Sequence, residues 1–472
     1  MDGASQSLSL RQGNNEGANG PFLFARLISG IEPVYFLAEQ VGVWQGNDGQ
    51  EKVKLTPFPA RFHLNRQYFL ELDAADVLAP FRDEFLLPDG VIYLCGNSLG
   101  AMPRCATEIA RRTMDYWAEN LVKSWNTADW FHLPQRLGRL VAGLVGAAED
   151  EVVVTDATGI NLFKVLAAAL SLRPDRNVIL MEGSNFPTDN YTAQGLIALL
   201  GNRHRLRFAE HDGILAAMDD DVAVVALTEV HYKTGRVHDM KTITAGAHAH
   251  GALTVWDLCH SAGVMPVDLN GCDADFAVGC TYKYLNGGPG SPAFIFAARR
   301  HHGMALQPLT GWYSHASPFA FERDYRPAPG IEQMQSGTPP ILSLAVAEAG
   351  ISITARASMA AIREKSQRMG DLFIELADDL CDEFDFQLAS PRTAEHRGSQ
   401  VSLTHQHGYP IMRALISRGV IGDFRAPEIL RFGFAPLYLR YLDIWNAAQA
   451  LRDIMQTDAW RLPEFNTALA VT

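Results

Sequence analysis

The sequence predicts an α/β protein whose central sheet is mainly parallel and carries helices on both faces. Between residues 150 and 300, apolar runs rich in β-branched residues alternate with helical patterns five or more times, which is typical of strand-helix-strand units. The runs at 222–227 and 252–256 are almost entirely apolar, as expected for strands buried on both faces. No GxGxxG motif follows the first of these strands, so a nicotinamide-binding Rossmann fold is disfavoured.

Composition and charge disfavour several classes of function. The 472 residues suffice for two or more domains. A net charge of −13 without a local Lys/Arg cluster argues against nucleic-acid binding. No apolar run is long enough to span a membrane, and residues 21–44 lack the basic start and cleavage-like end of a signal peptide. We therefore expect small-molecule partners and no membrane association.

Cysteine and histidine spacing indicates neither a disulfide framework nor a metal site. The six cysteines show no paired CxxC spacing, so we expect reduced thiols in a cytoplasmic protein. The pairs His301/His302 and His405/His407 are too few and too poorly spaced to predict metal ligands.

Two residues at the end of the predicted sheet suggest the chemistry. Asp257 ends the apolar run 252–256, at the strand end where open α/β sheets bind ligands, and Lys283 follows 26 residues later. Lys283 precedes the segment NGGPG at 286–290, whose glycines permit close ligand approach. A lysine and an aspartate so placed suit pyridoxal 5'-phosphate (PLP): the lysine forms a Schiff base with the aldehyde, and the aspartate keeps the pyridine nitrogen protonated. Either residue alone would more often be a surface lysine or a capping aspartate.

The segment TYKYLNGGPG at 281–290 resembles the lysine segment of kynureninases, and further stretches agree with that family in the same order. These stretches are YLCGNSLG (93–100), LVKSWN (121–126), NFPTDNY (185–191), HYKTGRVHDM (231–240), WDLCHSAG (256–263), LTGWYSH (309–315) and GVIGDFRAPEILRFGFAPLY (419–438). The resemblance covers the chain from about Leu70 to the C-terminus. It implies the PLP-dependent transferase-like fold (aspartate aminotransferase fold type I), with a mainly parallel large domain and a small α+β domain.

The resemblance also implies a domain organisation. Residues 1–65 form an N-terminal extension, of which the Gly- and Asn-rich residues 1–20 are expected to be disordered. We expect residues 66–100 to contribute to the small domain, residues 101–340 to form the large PLP-binding domain, and residues 341–472 to form the C-terminal small domain.

Site residues are assigned by their match to kynureninase motifs. Lys283, Asp257 and Tyr282 are the expected catalytic residues, although the Tyr282 phenol could simply be packed. Backbone amides at Thr158 and Gly159 suit a phosphate, because unsatisfied N–H groups converge at a helix start. The expected cofactor-binding residues are Thr158, Gly159, Phe186, Asp189, Thr228, Asp257, His260, Tyr282, Lys283, Trp312 and Thr338. Thr338 is commonly supplied by the partner subunit, so a homodimer is expected.

For the substrate, the resemblance implies L-kynurenine, with 3-hydroxykynurenine also open, cleaved hydrolytically to anthranilate or its hydroxy form and L-alanine in tryptophan catabolism. Arg431 matches the arginine that pairs with the substrate α-carboxylate, for which a planar guanidinium is suited. Trp125 matches a residue of the aromatic pocket, or belongs to core packing. The chain departs from several relatives at Cys95, where they carry an acid, and at Gly159, where they often carry a hydroxyl residue.

Two other functions remain open at this point. Another PLP enzyme of the same fold, a cysteine desulfurase or an aminotransferase, is the nearer one, but none of the six cysteines lies in an obvious mobile-loop motif. A non-catalytic PLP-binding protein could keep Asp257 and Lys283 yet lose Arg431 or Trp125. Retention of all four residues favours an enzyme.

Overall fold

The structure is a computed structural model that describes residues 64–305 and 307–467, together with five short strands within the first 53 residues. The chain divides into two units, residues 1–64 and 65–472. In the first unit, β1 to β3 form an antiparallel sheet and β4 pairs with β5. These strands are β1 (Leu10–Arg11), β2 (Phe22–Ala25), β3 (Phe36–Leu37), β4 (Val43–Gln45) and β5 (Glu51–Val53). Apart from β1, the predicted disorder of residues 1–20 falls outside the described residues.

The second unit contains the remaining strands and the helices. Its strands are β6 (Phe85–Leu86), β7 (Ile92–Tyr93), β8 (Met102–Pro103), β9 (Val152–Val154), β10 (Val178–Glu182), β11 (Arg205–Ala209), β12 (Val222–Thr228), β13 (Leu253–Asp257), β14 (Phe276–Gly279), β15 (Phe294–Ala297), β16 (Gln387–Leu388), β17 (Gln400–Thr404), β18 (Val420–Ile421), β19 (Asp423–Arg425) and β20 (Ile429–Gly433). Its helices are α1 (Arg66–Ala74), α2 (Ala106–Asn120), α3 (Ser124–Thr127), α4 (Leu133–Leu144), α5 (Thr158–Ser171), α6 (Pro187–Leu199), α7 (Met240–Ala249), α8 (Ile341–Arg356), α9 (Met359–Phe384), α10 (Gly408–Ser417) and α11 (Tyr441–Gln456).

A seven-stranded sheet in the order β11-β10-β12-β13-β14-β15-β9 forms the centre of this unit. The strands from β11 to β14 are parallel, whereas β15 is antiparallel to both of its neighbours. This confirms the predicted mainly parallel sheet. Every residue of β12 and β13 is buried, as their apolar composition predicts.

Helices cover both faces of this sheet. Successive side chains of a strand point to opposite faces, and along β10 Leu180 joins one core cluster whereas Met181 joins the other. The first cluster includes side chains from α4, α7 and α8, and the second includes side chains from α5 and α6. The sheet is therefore shielded from water except at its edges, and its carboxyl edge carries the polar residues discussed below.

The C-terminal part forms a smaller antiparallel sheet in the order β16-β17-β20-β19. Cys95 joins it through a parallel bridge with Gly433 of β20, and the neighbouring β7 pairs with β18 in a separate two-stranded sheet. The domain boundaries stay a prediction. Leu344 and Ile351 of α8 lie in a core cluster of the large sheet, so we propose that the boundary expected after residue 340 lies between α8 and α9.

Among the helices in the described ranges, none by itself combines the length and hydrophobicity needed to cross a membrane, and only the consecutive pair α8 and α9, bent by 87°, reaches that criterion together.

Two helical glycines should respond oppositely to substitution. A Cβ at Gly350 in α8 would lie closer than van der Waals contact to the backbone of Leu285 and Asn286, whereas a Cβ at Gly143 in α4 would meet no atom within 4 Å. Gly350→Ala should lower the free energy of unfolding by about 1–3 kcal/mol through overpacking. Gly143→Ala should raise it by about 0.5–1 kcal/mol, because alanine favours a helix. Urea denaturation of both variants tests this, and a Gly350→Ala protein as stable as wild type would contradict the close packing.

Candidate active site

Asp257 is the buried acid at the carboxyl edge of the large sheet. It ends β13, opposite Thr228 of β12 and Val278 of β14. Its Oδ1 accepts a hydrogen bond of 2.7 Å from the backbone N–H of Cys259. The residue is 6 % exposed, so a ligand above this edge would meet a buried acidic side chain held in place by the backbone.

A second carboxylate, Asp189, lies in the first turn of α6 and is also buried. Its Oδ2 accepts hydrogen bonds of 3.2 Å from Asn185 Nδ2 and from Thr228 Oγ1. Burial, followed by the neighbouring charge of Asp257, raises the pKa of Asp189 well above its usual value. The two acids therefore favour one shared proton in the absence of a cationic ligand group.

Lys283 reaches this edge from the loop after β14. Its Nζ lies 3.0 Å from Nε2 of His260. Burial and then the positive charges of Lys283 and Arg431 lower the pKa of His260, so the imidazole is neutral and its Nε2 can accept a hydrogen bond from Lys283 Nζ. The other ring nitrogen, Nδ1 of His260, is buried and has no hydrogen-bond partner among the described residues.

The loop that carries Lys283 is fixed by the turn at 95–100. The N–H of Gly100 donates to the carbonyl of Tyr282 at 2.7 Å. A Cβ at Gly100 would overlap the carbonyl of Lys283, so glycine is required for this approach. Burial, followed by the nearby Cys280 thiol, raises the pKa of Tyr282, and its phenol is therefore neutral.

Arg431, the expected carboxylate-binding residue, is 2 % exposed and lies on β20. Its Nε and Nη2 atoms donate to Asp423 at 2.6 and 2.5 Å, and its Nη1 donates to the carbonyl of Tyr232 at 2.6 Å. The bond from Nη1 to Tyr232 places this guanidinium beside the segment that follows β12.

The start of α5 lies beside Cys259, two residues after Asp257. Cys259 Sγ is 3.9 Å from Thr158 Oγ1. The N–H of Asn161 is the first to bond within the helix, to Ala157, so the amides of residues 158–160 have no intrahelical acceptor. A Cβ at Gly159 would meet only ordinary contacts, and the absence of a side chain there is not sterically required.

Phe186 precedes α6 and is 44 % exposed. Its ring lies edge-on to that of Tyr232, with ring centroids 5.2 Å apart at 83°. One face of the Phe186 ring is thus available to a planar ligand.

Trp125, Trp312 and Thr338 come together in a separate group. The indole N–H of Trp312 donates to Thr338 Oγ1 at 3.3 Å, and the rings of Trp125 and Trp312 lie 6.4 Å apart. Trp130, Phe131 and Phe319 extend this aromatic group. Within residues 64–305 and 307–467, no hydrogen bond or ring contact connects it to Lys283.

A third polar cluster consists of Glu182, His211 and His238, whose candidate ligand atoms lie within 4.8 Å of one another. His238 Nε2 is 2.9 Å from Glu182 Oε2, and the two imidazole rings stack at 3.9 Å and 16°. Nearly parallel rings cannot both direct their in-plane lone pairs at one ion, so this arrangement is a hydrogen-bonded pair with a stacked ring. The sequence signal for it was absent, because the three residues are far apart along the chain. The expectation of no metal site stays a prediction.

Comparison with known proteins identifies the family. The model of the kynureninase C-terminal domain matches residues 362–451. A kynureninase of Burkholderia mallei is 53 % identical over 413 residues, which cover 86 % of this chain and 99 % of that protein. A kynureninase of Pseudomonas fluorescens is 49 % identical over 409 residues, covering 85 % and 98 %.

This chain belongs to the kynureninase family.

Solved structures show the same fold. An apo cysteine desulfurase of Thermococcus onnurineus superposes with a TM-score of 0.68 at 19 % identity, covering 80 % of this chain and 98 % of that one. The cysteine desulfurase CsdA of Escherichia coli gives 0.67 at 16 % identity, with the same coverage. The expected fold type I is therefore confirmed, and the motif resemblance to kynureninases is confirmed by whole-chain identity.

Three polar residues that contact the expected site of this kynureninase-family chain were not predicted as site residues. Asn185 orients Asp189, and Thr228 donates to Asn185 Oδ1 at 2.5 Å. Ser98 and Asp423 surround Arg431. Asn185, Ser98 and Asp423 all lie within the family-like segments of the sequence, but only the fold reveals which charged group each one faces.

Asp189 should make the stability of the cofactor-free protein depend on pH. A raised pKa means that the folded protein retains a proton that the unfolded chain releases, so stability falls as pH rises above the ordinary value of 3.8. Asp189→Asn should remove this loss. The free energy of unfolding of the variant, relative to wild type, should therefore grow between pH 4 and 8 by at most about 1.4 kcal/mol per pH unit.

Urea denaturation at several pH values measures this difference. Asp219→Asn is the control of opposite sign, because a hydrogen bond from Arg207 lowers the pKa of the exposed Asp219. A stability difference for Asp189→Asn that does not change with pH would contradict the raised pKa.

Proposed function

We propose that this chain is a PLP-dependent hydrolase that cleaves the β–γ carbon bond of L-kynurenine, giving anthranilate and L-alanine. The observation that carries the proposal is the position of Asp257 and the Lys283–His260 pair at the carboxyl edge of the large sheet, with Arg431 of β20 bonded to the carbonyl of Tyr232, four residues beyond the end of β12. These groups match an amino acid bound to PLP: an anionic partner for a ring nitrogen, an amine, and a guanidinium for a carboxylate. The sequence identity of about half with kynureninases, over most of the chain, supports L-kynurenine as the substrate.

The residues present fit the cofactor. Buried Asp257 and Asp189 favour a cationic group between them, and a protonated pyridine nitrogen would satisfy both. The unpartnered Nδ1 of His260 is a buried polar atom in need of a partner. The free amides at the start of α5 suit a phosphate, and the exposed Phe186 ring offers a stacking surface. Thr228, Tyr282, Trp312 and Thr338 are assigned as further cofactor contacts, with Trp312 and Thr338 at the phosphate.

When bound, PLP supplies an electron-accepting ring that stabilises negative charge on the α-carbon of an amino acid. Asp257 keeps the ring nitrogen protonated. Lys283 binds the cofactor at rest, then removes and returns protons at the substrate, with neutral His260 accepting its hydrogen bond. Tyr282, protonated because its pKa is raised, is a proton donor beside Lys283. Water adds to the γ-carbonyl, and Arg431 holds the α-carboxylate.

We further propose a cytoplasmic homodimer. The group around Trp125, Trp312 and Thr338 is separate from Lys283 within one chain, which supports its contributing to the site of a second subunit. Phe319 and Phe321 nearby are 66 % and 86 % exposed, and large exposed apolar side chains are typical of association surfaces. Trp125 is proposed to line the aromatic end of the substrate pocket. The six free thiols support a reducing compartment.

The first experiment is an absorbance scan of the purified protein, followed by addition of L-kynurenine. We expect the visible band of bound PLP and formation of anthranilate. A band without anthranilate would refute the substrate assignment and keep the cofactor assignment. The same assay with 3-hydroxykynurenine decides between the two substrates, and the absence of a band after addition of PLP would refute the role of Lys283.

Lys283→Ala should lower the rate of anthranilate formation at least about 100-fold, because proton transfer by a positioned group contributes that much or more. Lys241→Ala, on the exposed side of α7, is the matched control and should retain the wild-type rate. Rates are measured at saturating L-kynurenine with added PLP. A Lys283→Ala enzyme of wild-type activity would refute the scheme.

A further inference from the structure

Arg431 and Asp423 form a cross-strand ion pair set by the register of the small sheet. The two residues lie directly opposite each other on β20 and β19, where opposed side chains are in contact distance. Both side chains are 2 % exposed. Arg431 donates from Nε and Nη2 to the two oxygens of Asp423, a bidentate geometry that fixes the plane of the guanidinium.

This pair determines which donor of Arg431 remains for a ligand. A guanidinium has five N–H groups. Two donate to Asp423, one donates to Ser98 Oγ at 3.0 Å and one donates to the carbonyl of Tyr232. Among the described residues, one N–H on Nη1 is left. Arg431 can therefore offer an incoming carboxylate one direct hydrogen bond while its present contacts persist.

A second guanidinium lies against the same acid. Arg425 Nη2 is 3.0 Å from Asp423 Oδ2 and 3.4 Å from Ser98 Oγ. Its side chain is 34 % exposed, unlike that of Arg431, and with its bond to the carbonyl of Phe424 it uses three of its five N–H groups on described residues. Two guanidinium charges against the one carboxylate leave a net charge of +1, which matches one substrate carboxylate.

The protonation of the acid agrees with this charge balance. Burial alone would raise the pKa of Asp423, but the hydrogen bond and charge of Arg431 and the charge of Arg425 outweigh it and lower the pKa. Cys95, whose Sγ is 3.6 Å from Asp423 Oδ2, adds no charge, because burial raises the pKa of its thiol to about 12.

From this geometry we propose that Asp423 is the positioning residue that orients Arg431 toward the substrate α-carboxylate, and that Arg425 is the second cation of that carboxylate site. The inference rests on the proposed function, which assigns Arg431 to the α-carboxylate. The further inference is that Arg431 and Arg425 each donate to the substrate α-carboxylate, whereas Arg431 alone does not bind it bidentately.

The test is a spectral titration of the PLP-loaded enzyme with L-alanine and with ethylamine, which is L-alanine without its carboxylate. Asp423→Asn removes the bidentate acceptor and should raise the Kd for L-alanine at least about tenfold, because the guanidinium loses its orientation. The Kd for ethylamine should stay within about twofold. A general structural defect would raise the Kd values of L-alanine and of ethylamine alike.

Asp423→Glu separates positioning from neutralisation, since it keeps the charge and displaces the oxygens by one methylene. Positioning predicts weaker L-alanine binding for this variant also. Asp378→Asn is the matched control, because Asp378 forms an exposed bidentate pair with Arg392. It should leave both Kd values unchanged. Unchanged or tighter L-alanine binding in Asp423→Asn, or an equal loss for ethylamine, would overturn the positioning role.

Two milder variants test the proposal if the Asp423 variants fail to fold. Ser98→Ala keeps the ion pair but removes the hydroxyl that donates to Asp423 at 2.5 Å, and should weaken L-alanine binding about two- to fivefold. Arg425→Gln should weaken it about fivefold or more, with ethylamine unaffected. Wild-type affinity in Ser98→Ala would overturn the network, and wild-type affinity in Arg425→Gln would overturn the second cation.

The two proposals fail differently. A protein that binds L-alanine through its carboxylate but releases no anthranilate from L-kynurenine would refute the proposed function and leave the role of Asp423. A protein that cleaves L-kynurenine and whose Asp423 variants bind L-alanine normally would refute only the positioning role.

Discussion

The parallel register of β12, β13 and β14 is the constraint on which the site depends. Register pairs Thr228 with Asp257, and Asp257 with Val278. A shift by one residue would turn the Asp257 side chain to the opposite face of the sheet, away from Asp189 and from the start of α5. Because the two faces of these strands pack in separate core clusters, such a shift would also move each side chain into the opposite cluster and disturb the packing of both, so the hydrophobic core itself fixes the position of the acid.

The buried acids and the buried cations of the expected site each lack a full complement of opposite charge. Burial and the charge of Asp257 raise the pKa of Asp189, and burial followed by the charges of Lys283 and Arg431 lowers the pKa of His260. Burial of uncompensated charge is costly, so these groups lower the stability of the folded protein unless opposite charge is supplied. The proposed ring nitrogen near the acids and the proposed substrate carboxylate near the guanidinium groups would relieve both costs. The structure is thereby consistent with a site that gains stability from its ligands.

Sequence reasoning identified the sheet and the groups that end its strands, because apolar runs and strand-terminal polar residues are local signals. Asp257, Thr228 and Lys283 were predicted in this way and through their motifs. Asp423 was missed: it lies in a family-like segment, but its meaning depends on the antiparallel register that places it opposite Arg431. The cluster of Glu182, His211 and His238 was missed for the same reason, since the end of β10, the turn after β11 and the segment before α7 bring it together.

The segment at 93–100 connects the two halves of the expected site. Its strand β7 pairs with β18, and the N–H of Gly433, at the end of the strand that carries Arg431, donates to the carbonyl of Leu94. At its other end, Gly100 donates to Tyr282 in the lysine loop. Ser98 between them contacts Asp423. A displacement of this short turn would therefore move the Arg431 guanidinium and Lys283 together, which gives a physical reason why the turn is built from Gly, Asn and Ser, residues that permit tight backbone approach and local hydrogen bonding.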